Sequence, residues 1–350
     1  MRVLFTDKVE KTRVLIDKKD IKILSLLCFN VRLPLNKIAT LVGLSRNSVD
    51  YRIKIMEQKH LITGTRTVIN IKKLGFCSYH FFATINSEQD EKKLTERCLQ
   101  NKFVNALISY SGKFNFELSI MAKSPEQADK EFGKIIENLN SGEPSLCILL
   151  STLRSSVLPG YINEEKPELK HLKNDPSFAK QFELKKQEYA PDEKDLKIMH
   201  MLADNAKISL STLGKNAGLS DDAVRLRIGK LIRAEYILHF RPAVNFDMLN
   251  MSIRTLLIKT NKGDKNSENT FNKFINRNEK ILWCSETLGE WQYIIYVINK
   301  SSDEIHEFIE ELKKQYSNYI KYYEILFAFK EYKYSFMAEG ITANEKNNQE

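Results

Sequence analysis

Several features are scarce in this 350-residue chain, and each scarcity narrows what it can do. Its five cysteines (Cys28, Cys77, Cys98, Cys147, Cys284) are odd in number, widely spread and set mostly in apolar runs. They lack the paired spacing of a disulfide framework or a zinc site, so reduced core thiols in a cytoplasmic protein are expected. The six histidines (His60, His80, His171, His200, His239, His306) are scattered and read as surface or helix residues. There is no nucleotide-binding glycine loop, no metal-spaced His/Cys/carboxylate cluster and no nucleophile elbow, so neither a catalytic site nor a metal or cofactor is expected. The longest apolar runs, such as Leu146 to Leu150, fall far short of a membrane span, and the N-terminus lacks a signal-peptide core, so no membrane partner is expected.

What the chain does contain is itself, twice. Residues 17–75 align without a gap to residues 192–250, with 18 of 59 positions identical at an offset of 175. Two copies at this period make a domain duplication rather than a solenoid. The densest match is Gly43-Leu44-Ser45, Val49 and Arg52-Ile53 against Gly218-Leu219-Ser220, Val224 and Arg227-Ile228. Asp17 can cap a first helix whose apolar residues Ile21 to Leu27 recur at helical spacing. A second helix, from about Leu35 to Val42, stops at Gly43, the residue able to take a positive φ in a tight turn. Ser45 then caps a third helix with Val49, Ile53 and Met56 inward and Arg46, Asn47, Asp50, Tyr51 and Lys54 outward. Leu61-Ile62 and Thr63 to Ile69 read as a two-stranded wing.

Charge singles out one copy. Residues 1–75 carry 16 Lys/Arg against 6 Asp/Glu, net +10, whereas residues 191–250 carry 9 against 8 and the rest of the chain is close to neutral. A basic module attached to neutral ones is what phosphate-backbone binding requires, because each neutralised phosphate releases condensed counterions. After each wing, strand and helix signals alternate in the order βαββαβ, with a glycine turn at Gly112 and again at Gly289, the pattern of a ferredoxin-like domain. The expected class is therefore α+β. Its expected divisions are winged helix-turn-helix 1–75, ferredoxin-like 76–163, linker 164–190, winged helix-turn-helix 191–250, ferredoxin-like 251–337 and an unstructured tail 338–350.

This order, with GLSRNSVDYRI in the third helix, resembles the Lrp/AsnC family of transcriptional regulators, tandemly duplicated. The resemblance implies double-stranded DNA as a partner, a small-molecule effector bound by the ferredoxin-like domains, and oligomerisation through those same domains, here within a covalent pseudo-dimer. A recognition helix meets base edges with its early residues while later cations meet phosphate. Arg46 and Asn47 are thus candidates for base contact, as Arg pairs with guanine and Asn with adenine. Ser45, Asp50 and Tyr51 share that surface, and Arg52, Lys54 and Arg66 are candidates for phosphate, although Arg52 has an intramodule salt bridge as its alternative. The second module offers Asp221-Asp222 in place of Arg46-Asn47, which suits the helix dipole but faces phosphate badly. Arg225, Arg227 and Lys230 remain there as backbone candidates.

In the family the turn after the second ferredoxin strand runs Gly, two residues, then Asp, and takes part in effector binding. Here Gly112 to Asn115 and Gly289 to Gln292 carry an amide in that place, so an effector's ammonium would lose its charged partner. The alternative for both glycines is simply to permit the hairpin. Two other functions share the features read here. Sirohaem decarboxylases resemble the same fused architecture, but the His-Arg pairing expected after each wing is missing from residues 70–75 and 245–250. An architectural protein would bind DNA without sequence preference.

Overall fold

A computed structural model describes residues 15–162, 188–261 and 265–341. The chain divides into two units, neither contiguous in sequence. One gathers the helix-turn-helix modules (residues 16–76, with 163–244 and 335–350 so far as described), the other residues 77–162 and 245–334. Residues 245–250, which the repeat assigns to the second helix-turn-helix module, thus fall with the second unit. The expected linker lies outside the described residues over 164–187, as does the tail from 342 onward. The start of that tail corrects the expectation: Glu339–Ile341 form a turn of 3-10 helix in which Gly340 and Ile341 are buried, as is the preceding Ala338.

In the helix-turn-helix unit the first module comprises α1 (Lys18–Phe29), α2 (Leu35–Val42), α3 (Arg46–Gln58) and β1 (Ile62–Ile69). The second comprises α6 (Glu193–Asp204), α7 (Leu210–Ala217), α8 (Asp221–Arg233) and β6 (Ile237–Val244). Asp17 and Asp192 each close a capping box, with Asp20 and Asp195 returning the bond at the third helical position. Gly43 and Gly218 end their helices at φ of +67° and +64°, the left-handed turn that lets the next helix start at Ser45 or Ser220. Three apolar side chains of each third helix face the core: Val49, Ile53 and Met56 in one, Val224, Ile228 and Leu231 in the other.

The wings differ from expectation. Each module contributes one uninterrupted strand, and β1 pairs antiparallel with β6 of the other module instead of folding back on itself. Thr63 and Gly64 continue the strand, which leaves no local turn. The register sets Thr65 opposite Pro242, Arg66 opposite Arg241 and Thr67 opposite Phe240. Since Arg241 is Arg66 shifted by 175, a local pseudo-twofold axis passes through the two arginines. Reciprocal bonds obey it, Val31 N donating to Phe240 O at 3.0 Å and Ala206 N to Thr65 O at 3.2 Å.

The other unit is a closed barrel. Its first half runs β2 (Cys77–Ala83), α4 (Glu88–Gln100), β3 (Val104–Ser111), β4 (Phe116–Ala122), α5 (Pro125–Ile136) and β5 (Ser145–Ser155). The second runs β7 (Ser252–Thr260), α9 (Lys265–Arg277), β8 (Ile281–Gly289), β9 (Tyr293–Asn299), α10 (Ser302–Tyr316) and β10 (Ile320–Tyr334). Each half is the expected ferredoxin-like βαββαβ. Going around the barrel the order is β10-β3-β4-β2-β5-β8-β9-β7, antiparallel throughout, so the two four-stranded sheets join along β5·β8 and β10·β3 and leave no free edge. Alternate strand residues serve two faces. Tyr79, Phe81, Leu118 and Ile120 pack under α4 and α5, with Phe81 and Phe132 stacked at 4.0 Å, and Leu256, Ile258, Ile295 and Val297 do the same under α9 and α10.

The opposite sheet faces line the barrel, and there the two halves meet through polar groups. Glu117, 1% exposed, lies 2.7 Å from His80 Nδ1 and accepts from Tyr110 at 2.5 Å and from Tyr296 of the second half at 3.5 Å. Thr255, the repeat counterpart of His80, donates to the Tyr110 hydroxyl at 3.2 Å. His80 is therefore a buried, hydrogen-bonded barrel residue, a correction to its reading as a surface or helix position. Burial also holds the Tyr110 hydroxyl far above the ordinary range. Among the five cysteines, all free, Cys98, Cys147 and Cys284 are buried in the core and Cys28 and Cys77 are half-buried.

Candidate nucleic-acid interface

The outward face of α3 is built from the helix start upward. Ser45 accepts from Ser48 N at 3.1 Å, which fixes the first turn and spends the Ser45 hydroxyl on capping. Arg46 and Asn47 follow, both exposed, and Tyr51 one turn on is 66% exposed. Arg46, Asn47 and Tyr51 thus stand on one exposed stretch of helix surface. Lys54 is exposed as well and pairs with Asp50 at 2.7 Å, an i,i+4 contact that holds the side chain without neutralising the whole face.

Two of the phosphate candidates are placed elsewhere. Arg52 turns toward α1, its Nη1 lying 2.8 Å from Asp17 and 2.7 Å from Asp20, so the salt-bridge alternative is the observed one. The N–H of Asp20, and then the Arg52 guanidinium, hold the Asp17 carboxyl below its ordinary range. Arg227 repeats the arrangement at 2.8 Å from Asp192 and 3.0 Å from Asp195, where the Asp195 carboxylate is fully buried and also accepts from the Tyr189 hydroxyl at 2.5 Å. Both arginines tie the recognition helix to the start of the first helix. Arg66 is the other correction: because β1 pairs with β6, it sits on the pseudo-twofold axis at 8% exposure and not at a wing tip.

The face of α8 differs at almost every corresponding position. Asp221 and Asp222 open the helix, Arg225 pairs with Asp222, Leu226 is 57% exposed where the first module has Tyr51, and Gly229 stands where it has Lys54. Lys230 is drawn to the Tyr189 ring, 5.5 Å from its centroid. Of the three second-module candidates, then, Arg225 and Lys230 lie beside local partners and Arg227 is structural.

The candidate effector turns lie in the barrel unit. Asn115 ties its turn to the segment just after β2, its Oδ1 accepting from Ile85 N at 2.8 Å and its Nδ2 donating to Ile85 O at 2.7 Å. Gln292 does likewise, accepting from Thr260 N at 2.9 Å and donating to Gly289 O at 3.1 Å. Gly112 and Gly289 share a φ of +143°, and both abut the opposite half of the barrel. A Cβ at Gly112 would lie 2.9 Å from Leu326 Cδ2, and one at Gly289 only 2.1 Å from the Leu146 carbonyl oxygen. Beyond permitting a turn, these glycines allow the two sheets to close on each other, a requirement set by residues far away in sequence. The His80, Glu117, Tyr110 and Tyr296 cluster escaped sequence reading for the same reason.

With this geometry in view, similarity to known proteins is informative. A sequence model of the AsnC-type helix-turn-helix domain matches residues 16–57 and 192–232, and one of the Lrp/AsnC ligand binding domain matches residues 255–337. The chain is 30% identical over 112 residues to the HTH-type transcriptional regulator LrpA of Pyrococcus abyssi, covering 32% of this chain and 79% of LrpA. The chain belongs to the Lrp/AsnC family. Within Lrp/AsnC, the proline dehydrogenase transcriptional activator of Rhodobacter capsulatus is 37% identical over 82 residues, 23% of this chain and 53% of that one. The crystal structure of the siroheme decarboxylase NirDL superimposes with a TM-score of 0.60 over 92% of this chain and 94% of its own at 11% identity, which shows that the duplicated Lrp/AsnC fold recurs there. Among the described residues no helix is long and apolar enough to cross a membrane, and no cluster of three or more His, Cys, Asp or Glu is placed to hold a metal.

Proposed function

We propose that the chain is a sequence-specific DNA-binding transcriptional regulator that works as a covalent pseudo-dimer, with its first helix-turn-helix module supplying most of the affinity. The observation that carries this reading is the outward face of α3, where Arg46, Asn47, Tyr51 and Lys54 are exposed at major-groove spacing on a module of net charge +10. LrpA and the proline dehydrogenase activator, named as transcriptional regulators, support it. In this reading the β1·β6 pairing sets the spacing between α3 and α8 and hence between half-sites. The first half-site is read by Arg46 and Asn47, and the second is held weakly through Arg225 and Arg233. A small effector remains part of the proposal, but Asn115 and Gln292 give it no carboxylate, so a neutral or anionic molecule fits better than an amino acid. Selection of binding sites from random double-stranded DNA tests this reading, which expects an asymmetric motif. A flat profile with salt-dependent binding would instead identify an architectural protein.

A second reading is favoured by one observation, the NirDL likeness across both repeats. It makes the chain a decarboxylase acting on a tetrapyrrole. The absence of a His-Arg pair in residues 70–75 and 245–250 weighs against it. Titration with a ferric porphyrin, followed by its visible absorbance, discriminates: a stoichiometric shift supports the enzyme and none supports the regulator.

A further inference from the structure

A crevice of about 400 Å³ lies within the helix-turn-helix unit, against the flank of α3. Leu27, Val31, Leu33, Leu35 and Ile53 form its floor, while Arg32, Asp50, Lys54 and Glu57 stand around it and Lys207 reaches in from the second module. We propose that this crevice binds a small organic anion, an apolar body carrying a single carboxylate, and that the bound anion acts on DNA affinity through Lys54. The regulatory half of the proposal rests on the function proposed above; the binding half does not.

Three observations lead to that ligand. The volume is that of a small-molecule site, and an aliphatic floor rimmed by charge recognises an amphipathic body. The rim carries three cations against two carboxylates, an excess of one positive charge. That excess is accessible at Lys207, whose side chain is 39% exposed and whose ion pair with Glu57 is loose at 3.6 Å. Lys54 by contrast is held by Asp50 at 2.7 Å, and Arg32 donates to the Ala206 carbonyl at 2.7 Å, where it forms wall. The Lys207 backbone is itself fixed, its N–H donating to Asn205 Oδ1 at 3.0 Å, which anchors the start of the side chain at the crevice.

The site depends on the duplication having diverged. Repeat counterparts of Asp50, Lys54 and Glu57 are Arg225, Gly229 and Ile232, so the second module has no such rim. A carboxylate bridging Lys207 and Lys54 competes with Asp50 for Lys54 on the helix that carries Arg46 and Asn47. The bound anion therefore removes a phosphate-seeking cation from the DNA face.

The test is calorimetric titration of the full chain with 4-methylpentanoate and phenylacetate, and with the neutral amide of each, followed by DNA shifts with and without the better acid. Saturable binding of an acid, at least tenfold weaker binding of its amide, and a loss of about tenfold in Lys207→Gln are expected. Leu35→Asp, which places a carboxylate on the floor, should abolish binding, and circular dichroism checks that both variants fold. Equal binding of acid and amide, or none at millimolar concentration, overturns the proposal. So does an unchanged affinity in a folded Lys207→Gln, or a Lys207→Gln that weakens DNA while no acid binds, which would assign the cation to DNA phosphate. Acid binding in a chain that does not shift DNA leaves the crevice in place and removes the regulator reading instead.

Discussion

The two copies of the repeat have kept different things. In the barrel they keep the same elements, four strands and two helices each over an aromatic-rich core and closed at two seams, although the buried His80 of one half has Thr255 as its counterpart in the other. In the helix-turn-helix modules the frame is equally well kept, down to the capping boxes of Asp17 and Asp192 and the arginines tied to them. The outward faces of α3 and α8 nevertheless share almost nothing. Side chains that hold the modules together are constrained by partners inside the chain. Those facing outward are constrained by what they meet, so the divergence argues that the two faces meet different things.

The barrel seams provide the largest expected effect. At Gly289 a Cβ would collide with backbone, the Leu146 oxygen at 2.1 Å, whereas at Gly112 the nearest atom is the end of a leucine side chain at 2.9 Å. Both positions also carry a φ that L-residues rarely adopt. Gly289→Ala should therefore cost about 3 kcal/mol or more, and Gly112→Ala about half that, since Leu326 can yield. Differential scanning calorimetry of the two variants checks the order; equal losses would mean that the seams are equally soft and the asymmetry unimportant.

Next in size are the two arginines that brace the recognition helices. Arg227→Ala strands Asp195, whose carboxylate is wholly buried, and should cost about 3 kcal/mol. Arg52→Ala strands Asp17 and Asp20, 53% and 16% exposed, and should cost about 1 kcal/mol. Urea melts resolve the difference. If Arg52→Ala instead leaves stability alone and lowers DNA affinity, its original assignment to phosphate is restored.

On the DNA side, Arg46→Ala should lose about 1–3 kcal/mol of affinity for a selected site and relax its preference at one base pair. Replacing both Asp221 and Asp222 by Ala should raise affinity for unselected DNA and steepen its salt dependence. Fluorescence anisotropy at two salt concentrations measures both. Should the two changes act in the same sense, the modules are equivalent readers and the contrast drawn from α3 and α8 is wrong.

Local signals made much of this legible in the sequence. Asp17, Gly43 and Ser45 each mark a helix boundary by chemistry confined to a few neighbouring residues, and the boundaries fall where those residues stand. The strand and helix order of both ferredoxin-like halves was equally readable, since hydrophobic period is a local property. The wings were not, because a strand of eight residues cannot reveal whether it pairs with itself or with one 175 residues away. Arg66 was misplaced with them. His80 reads as one of several scattered histidines, because the Glu117 carboxylate that holds it is brought to it only when the barrel strands pair. The crevice beside α3 needs Lys207 from the second module, so no reading of the first module alone contains it.

The smallest effect concerns the capping carboxylates, and its sign follows from their shifts. Asp17 is held below its ordinary value of 3.8, first by the Asp20 N–H and then by Arg52. For Asp192, burial is the largest influence and opposes ionisation, but the N–H of Asp195 and the Arg227 guanidinium outweigh it and the net shift is again downward. A carboxyl whose folded pKa is depressed binds its proton more readily in the unfolded chain, so its contribution is whole above the ordinary carboxylate range and fades as pH falls through the depressed value. Both side chains are about half exposed, so water screens each pair and the contribution stays below about 1 kcal/mol. The gap in melting temperature between the native chain and Arg52→Ala should thus be constant from pH 7 to 5 and shrink below pH 4. One molar salt should narrow it at every pH. The Arg227→Ala gap should respond less to salt, because Asp195 is shielded from solvent. Identical salt responses would place the two braces in the same environment and remove the distinction between the modules at their frames.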